Sequence, residues 1–392
     1  MSEALRRMLD GVDWSRVRSE EGPATGFPLH VRALWSGDHY TVHEAFDYFR
    51  TTGFAMSSAG PATVAMTPVL VALLAEPGLD GAEYTVPFGA VTSIRAGLLE
   101  CLGRVADHAG WGGTDEELCR KAELLLAGQV DELLRPDVDG TARPDTFADV
   151  FAAEQAPYLF WVRVHAGGLL DACLPWLDDP DHRVAQAAVY PVARLAMLAP
   201  AERRQAVEHE LIRVAGAPDG HQSVQGTAVF ELIALGVDTG ALLEHPLLAV
   251  RAIAALSAST LDDPRSLTAL EAALRQAVDC DDWLDPYPPM VHLRLVFQFA
   301  RAAASRARTF DDVLPGAYAV AAGEGGWQPL LTVAFPPGWS DRPLTGAQRE
   351  FLRQLVGNDG NWHPTYTGWK DDLRRVGLPP DRDACRALAA SG

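Results

Sequence analysis

The stretch from Leu169 to Ala199, LLDACLPWLDDPDHRVAQAAVYPVARLAMLA, constrains this chain more than any other. Leu169, Leu170, Cys173, Leu174 and Leu177 recur at helical steps, and Asp178-Asp179-Pro180-Asp181 then breaks the run. A second apolar stripe follows through Val184, Ala187, Ala188, Val192, Leu195 and Leu198. An Asp before Pro is biased away from the helical region, which ends the first helix there. Pro180 or the carboxylate of Asp181 opens the next helix, because Pro gives up no needed donor and Asp accepts from free amides. Ala185, Ala187 and Ala188 let the second helix approach its neighbours closely. Pro191, inside that helix, is expected to kink it or weaken its middle turn. Two apolar stripes joined by a short break form a hairpin that cannot bury both faces alone, so it needs stacked neighbours.

Repetition is the test of that reading. Setting Ile94 on Val184 brings Leu98 onto Ala188, Leu102 onto Val192, Arg104 onto Arg194 and Val105 onto Leu195, with no adjustment of spacing. Val224 stands 224 − 184 = 40 positions after Val184, and Val291 stands 291 − 250 = 41 positions after Val250. Both offsets fall at the length of a two-helix repeat. The turn Asp262-Asp263-Pro264 echoes the central one. Helices are expected over 29–34, 41–52, 62–76, 91–106, 114–134, 146–165, 169–177, 184–198, 201–215, 223–236, 239–243, 246–257, 267–278, 290–306 and 345–356, with a last one after Asp381. Residues 77–89 read as an irregular loop, and Leu330 to Phe335 as a short strand.

The spacing divides the chain into a lead-in over 1–28, a repeat array over 29–306 interrupted at 107–150, a Gly/Pro/aromatic-rich linker over 307–342, and a helical cap over 343–392. Terminal units of such an array must cover an apolar end, so an atypical cap is expected.

The central Asp179-Pro180-Asp181, Val184, Ala187-Ala188 and Leu195 resemble a HEAT repeat. So do the opening Leu29, Arg32 and Leu34 and the closing LTGAQREFLRQL and VGLPPDRDACRALA. The chain is similar to HEAT-repeat proteins of GC-rich actinobacteria over 29–306 and, by pattern, over the tail. That resemblance implies an all-α fold, a right-handed α-solenoid of irregular HEAT-like hairpins with an atypical C-terminal cap. It carries no activity of its own. HEAT arrays mostly hold proteins or peptides in a concave groove, while a minority, including alkylpurine DNA glycosylases and bilin lyases, are enzymes that work there.

Charge narrows the partners. Thirty-three basic against 52 acidic residues give a formal charge of −19, which argues against a phosphate-backbone partner and disfavours the glycosylase version. Lys121 and Lys370 are the only lysines, so arginine supplies nearly all of the positive charge. The five cysteines, at 101, 119, 173, 280 and 385, form no close pair, which is unlike a disulfide framework or a zinc site. The N-terminus MSEALRRMLDGVDW has no apolar core of a signal peptide, and no run reaches the length of a membrane span. A cytoplasmic protein without cofactor or metal, binding neither nucleic acid nor membrane, is expected.

Candidate chemistry sits on the second helices, which line the concave face of a HEAT array. Gln186, Tyr190 and Arg194 recur at four-residue steps and project together. Glu100 and Arg104, Phe230 and Glu231, Arg251, and His292 and Arg301 would extend that row. The row reads as a groove for a protein or peptide, or as a solvated face with ladder ion pairs. Were the chain an enzyme or a small-molecule-binding protein instead, His165, Tyr190, Glu231 and His292 would carry the chemistry, with Arg194 beside them. His39, His43 and Glu44 lack the His-Glu-x-x-His order of a metalloprotease helix and read as surface or capping residues. Asp281, Asp282 and Asp285, with Trp283 and Tyr287, form an acidic aromatic loop that suits helix caps better than a carboxylate pair. Trp362, His363, Tyr366 and Trp369 cluster in the loop Asn358 to Trp369. They read either as binding anchors, chiefly Trp362 and His363, or as a plug for the open end. No nucleophile elbow, phosphate loop or dinucleotide fingerprint is present.

Overall fold

Helical periodicity governs the fold. The computed structural model describes residues 1–19, 21–53, 59–85, 91–110, 114–126, 146–277, 279–284, 294–323, 325–337, 339, 342–363 and 368–391. Among these it has eighteen helices and two short antiparallel strand pairs. The chain divides into two compact units, Met1–Glu210 and Leu211–Gly392. No helix among the described residues is long and apolar enough to cross a membrane.

The first unit opens with α1 (Glu3–Asp10), capped by the Ser2 side chain, and a two-residue pair of strands, β1 (Arg18–Ser19) and β2 (Gly22–Pro23). Helices α2 (Phe27–Ala33), α3 (His39–Gly53) and α4 (Pro61–Leu74) follow. The loop expected over 77–89 contains instead β3 (Glu83–Thr85), which pairs with β4 (Val91–Ser93). β4 takes the first residues expected of the next helix, so α5 begins only at Ile94 and runs to Gly110. The strand pairing satisfies backbone groups that an isolated loop would leave to water.

After α6 (Asp115–Leu126), a single 28-residue helix, α7 (Thr146–Cys173), joins two segments that the sequence presents separately. The apolar stripe continues straight across Gly167-Gly168. The break comes at Pro175, where a tighter turn spans Leu174–Asp178. The second helix of the hairpin, α8 (His182–Leu198), does not break at Pro191. Val189, Val192 and Leu195 are buried on both sides of the proline, and packing outweighs its one lost hydrogen bond. α9 (Ala201–Ala215) runs across the boundary between the units.

Helices α5 and α8, the two that share a register in sequence, pack side by side. Gly103 makes this possible, because a side chain there would occupy the space of the Tyr190 ring. Gly97 does the same for α3 and β3: a side chain there would sit 2.7 Å from both the Phe46 ring and the Tyr84 hydroxyl.

The second unit contains α10 (Gln222–Ala234), α11 (Leu248–Ala254), α12 (Pro264–Leu274), α13 (Leu295–Arg306), α14 (Gly316–Ala322), α15 (Leu331–Ala334), α16 (Gly346–Gly357), α17 (Gly368–Arg375) and α18 (Arg382–Ala390). Successive helices from α10 to α13 pack on one another, and α12–α14–α16–α18 continue the chain of contacts. Leu331–Ala334 is helical, where a strand over Leu330 to Phe335 is expected. Pro329 opens a tight turn, and Leu330, Leu331, Ala334 and Phe335 are buried at helical spacing. A lone strand there would leave its ladder groups unpaired.

The two Asp-Pro turns share one capping chemistry. Asp181 accepts from the Arg183 backbone N–H at 2.9 Å and holds its guanidinium through Nε at 3.0 Å and Nη2 at 2.8 Å. Asp263 does the same with Arg265, at 2.9, 3.0 and 2.6 Å.

Candidate functional site

The predicted row on α8 is turned inward. Tyr190 and Gln186 are each 1% exposed, and Arg194 keeps 15% of its side-chain surface. Their surroundings follow from helix spacing on α5, where Glu100, Arg104 and Asp107 lie at i, i+4 and i+7 on one face. Asp107 accepts from the Tyr190 hydroxyl and pairs with Arg194 Nε at 3.3 Å. The Arg194 guanidinium lies 5.6 Å from the centre of the Tyr190 ring, within cation–π reach. One turn back, Arg104 holds Glu100 at 3.1 Å, and Arg50 of α3 reaches the same carboxylate at 4.0 Å while pairing with Asp47 at 2.6 Å.

This is a polar seam between packed helices. Burial and then the nearby Glu100 raise the pKa of the Tyr84 hydroxyl, and the same two causes push the Cys101 thiol up to about 12. Both groups are held neutral. Sequence reasoning placed Glu100, Arg104, Tyr190 and Arg194 on one surface but missed Asp107 and Arg50, which consume their polar groups. The i+7 spacing from Glu100 to Asp107 was the available signal.

His165, on α7, is exposed and stacks on Trp161, with ring centres 4.2 Å apart; its Nδ1 lies 2.8 Å from the Trp161 carbonyl. Glu231 is fully buried in α10 of the second unit. Arg251, also there, donates to the carbonyls of His245 and Pro246 at 2.6 and 2.8 Å. His292, Val291, Asp285, Tyr287 and Tyr366 lie outside the described residues, as do residues 127–145 of the expected interruption. His43 pairs with Asp47 at 3.2 Å and His39 lies 3.4 Å from the Thr85 hydroxyl. No group of three or more His, Cys, Asp or Glu among the described residues could hold a metal. Asp281 accepts from the Val296 backbone N–H at 2.9 Å and from Arg294 Nε at 2.8 Å, at the start of α13. Trp283 is buried beside Phe299.

The aromatic loop after α16 ties the second unit together. Asn361 accepts from the Gly325 N–H and from Trp327 Nε1, both at 3.0 Å, and donates to the Ala321 carbonyl at 2.9 Å. Trp362 donates to the Leu355 carbonyl at 3.0 Å and meets Trp369 edge-on, with centres 4.7 Å apart. His363 is exposed.

An open cleft lies elsewhere in the second unit. A cleft of about 500 Å³ lies between α13, the turn leading into α15, and α17. Phe297, Arg301 and Ser305 stand one turn apart on α13; Gln328, Pro329 and Thr332 face them, and Asp372 and Arg375 come from α17. Thr332 and Arg375 also line an adjoining cleft of about 380 Å³, walled by Phe335, Pro336, Pro337 and Trp339. Trp339 is pinned there by its Nε1 donating to the Val376 carbonyl.

The charges in this cleft are unequal. Arg375 pairs with Asp372 at 2.9 Å, whereas Arg301 is exposed and has no ion-pair partner among the described residues. The buried Oε1 of Gln328 likewise has no hydrogen-bond partner among them. Polar groups on a concave, partly apolar surface of this size suit ligand binding. Sequence placed Arg301 at the Arg194 position but gave no sign that α15 and α17 come to meet it. Compared with protein-family models, with curated proteins and with solved structures, the chain matches none.

Proposed function

We propose that this chain is a right-handed array of irregular HEAT-like helical hairpins in the cytoplasm that binds a segment of a partner protein and performs no chemistry itself. The docking place is the cleft of the second unit rather than the Tyr190 row. The observation that carries this reading is the division of polar groups. Those on the α5 and α8 seam are spent on one another, and a substrate reaches Tyr190 only by parting the helices. In the α13, α15 and α17 cleft, Arg301 is exposed with no ion-pair partner among the described residues, beside an aromatic and proline wall. The side-by-side packing of α5 and α8, helices of common register, supports the HEAT-like reading, as do the twin Asp-Pro caps. Five free thiols suit a reducing compartment.

A random peptide library displayed against the full chain tests the docking. Thr332→Trp, an exposed position shared by both parts of the cleft, fills the space without touching the core. Peptides enriched on the native chain and lost on the variant are the expected result. Enrichment that the variant leaves unchanged, or none at all, overturns the proposal.

A further inference from the structure

Resting on the docking proposed above, the geometry points to the chemistry of the occupant: a peptide segment that places a carboxylate at Arg301 and Arg375 and an apolar side chain on the Trp339 wall. Three observations on different elements lead there. The first is charge. In a chain of net −19, the larger cleft holds two guanidinium groups against the single carboxylate of Asp372. Asp372 pairs with Arg375, so among the described residues the uncompensated charge belongs to Arg301. A carboxylate is the natural complement of a guanidinium fork.

The second observation selects a peptide over a bare anion. Phe297 and Pro329 line the larger part and Phe335, Pro336, Pro337 and Trp339 wall the other, an apolar surface that an inorganic anion leaves uncovered and a peptide side chain fills. The third is continuity. Arg375 and Thr332 line both parts of the cleft, so one ligand reaches from the guanidinium groups to Phe335 and Trp339 without leaving the surface. The apolar wall then takes the side chain next to the acidic group. A carboxylate of this kind comes from an Asp or Glu side chain or from a free C-terminus.

The test uses the full chain passed over short immobilised peptides, each carrying one Glu and one Leu or Phe at varied spacing. Each is paired with a version having Gln for Glu, and each is made with a free and an amidated C-terminus. Binding is expected to be on the order of tenfold tighter for the best Glu peptide, or for the free-acid form, than for its neutral counterpart, as for one hydrogen bond to a charged group. Preference for Glu with both termini assigns the side chain, and preference for the free acid alone assigns the C-terminus. Arg301→Gln should bring the ratio close to one and Arg301→Lys should restore part of it, while higher salt weakens binding of the charged peptides only. Equal binding of charged and neutral peptides by the native chain overturns the carboxylate and leaves the docking standing. A charge preference that survives Arg301→Gln also overturns the assignment. Retention of no peptide at all overturns the docking itself.

Discussion

The seam of the first unit and the cleft of the second are built from the same materials, arginine, aspartate and aromatic rings, and they come to opposite ends. On the seam, Asp107 meets both Tyr190 and Arg194, and Glu100 meets both Arg104 and Arg50. Where Gly103 lets α5 and α8 approach, the Tyr190 ring fills the space between them. In the cleft, α13 and α17 stand apart, and Arg301 is exposed with no ion-pair partner among the described residues. What separates spent from open polar groups here is helix spacing rather than residue type. Polar groups a few ångströms nearer to each other satisfy themselves; polar groups held apart wait for a third party.

That contrast can be broken most directly at Gly103. Gly103→Ala drives a methyl group into the Tyr190 ring and is expected to destabilise the protein by about 2–3 kcal/mol in denaturant unfolding, despite the better helix propensity of Ala. A neutral result would mean that α5 and α8 are not in close contact. Asp107→Ala is next. It leaves the Tyr190 hydroxyl and the Arg194 guanidinium short of an acceptor, and a loss of about 2 kcal/mol is expected. A double-mutant cycle with Tyr190→Phe should show coupling above about 0.5 kcal/mol; additive losses would dissolve the seam into independent contacts.

Acid sharpens the comparison at the helix caps. The hydrogen bond from Arg183 holds the Asp181 carboxyl below its ordinary value of 3.8, and Arg265 does the same for Asp263. A carboxylate whose pKa is depressed on folding contributes stability above the unfolded pKa, about 4. That contribution is lost as pH falls through the folded value. Asp181→Ala should therefore cost about 1 kcal/mol near neutral pH, in line with a lost N-cap, and should flatten the acid limb of a stability–pH curve. An unchanged acid limb would show that the cap is not formed. The smallest effect belongs to the cleft: Arg301→Gln should shift stability by less than about 0.5 kcal/mol, since an exposed side chain with no ion-pair partner among the described residues holds nothing in place. A large shift would make Arg301 a structural residue and return the cleft to the same class as the seam.

Much of the fold is legible in the chain. Asp181, Asp263, Thr345 and Asp381 mark helix starts that capping chemistry finds unaided. The register shared by Ile94 and Val184 belongs to two helices that do lie together. Legibility fails where several elements compete for one segment. Leu330 to Phe335 has strand-like composition, yet helical burial decides it. Residues 83–85 look like loop until Val91–Ser93 supplies a partner. The candidate site fails for a related reason. Periodicity shows that Tyr190 and Arg194 share a face with Gln186, but not whether that face meets water or another helix.

The sequence by itself determined that this protein is built of helices, where most of them start, and which stripes are apolar, because caps and periodicity are local and a turn or two of chain contains the whole signal. Only the tertiary structure decided which polar groups are spent and which are open. That choice depends on distances between helices far apart in sequence: Asp107 from Tyr190 on one side, Arg301 from Arg375 on the other. No local pattern encodes those separations. They follow from how glycine, proline and bulky side chains let each pair of helices pack.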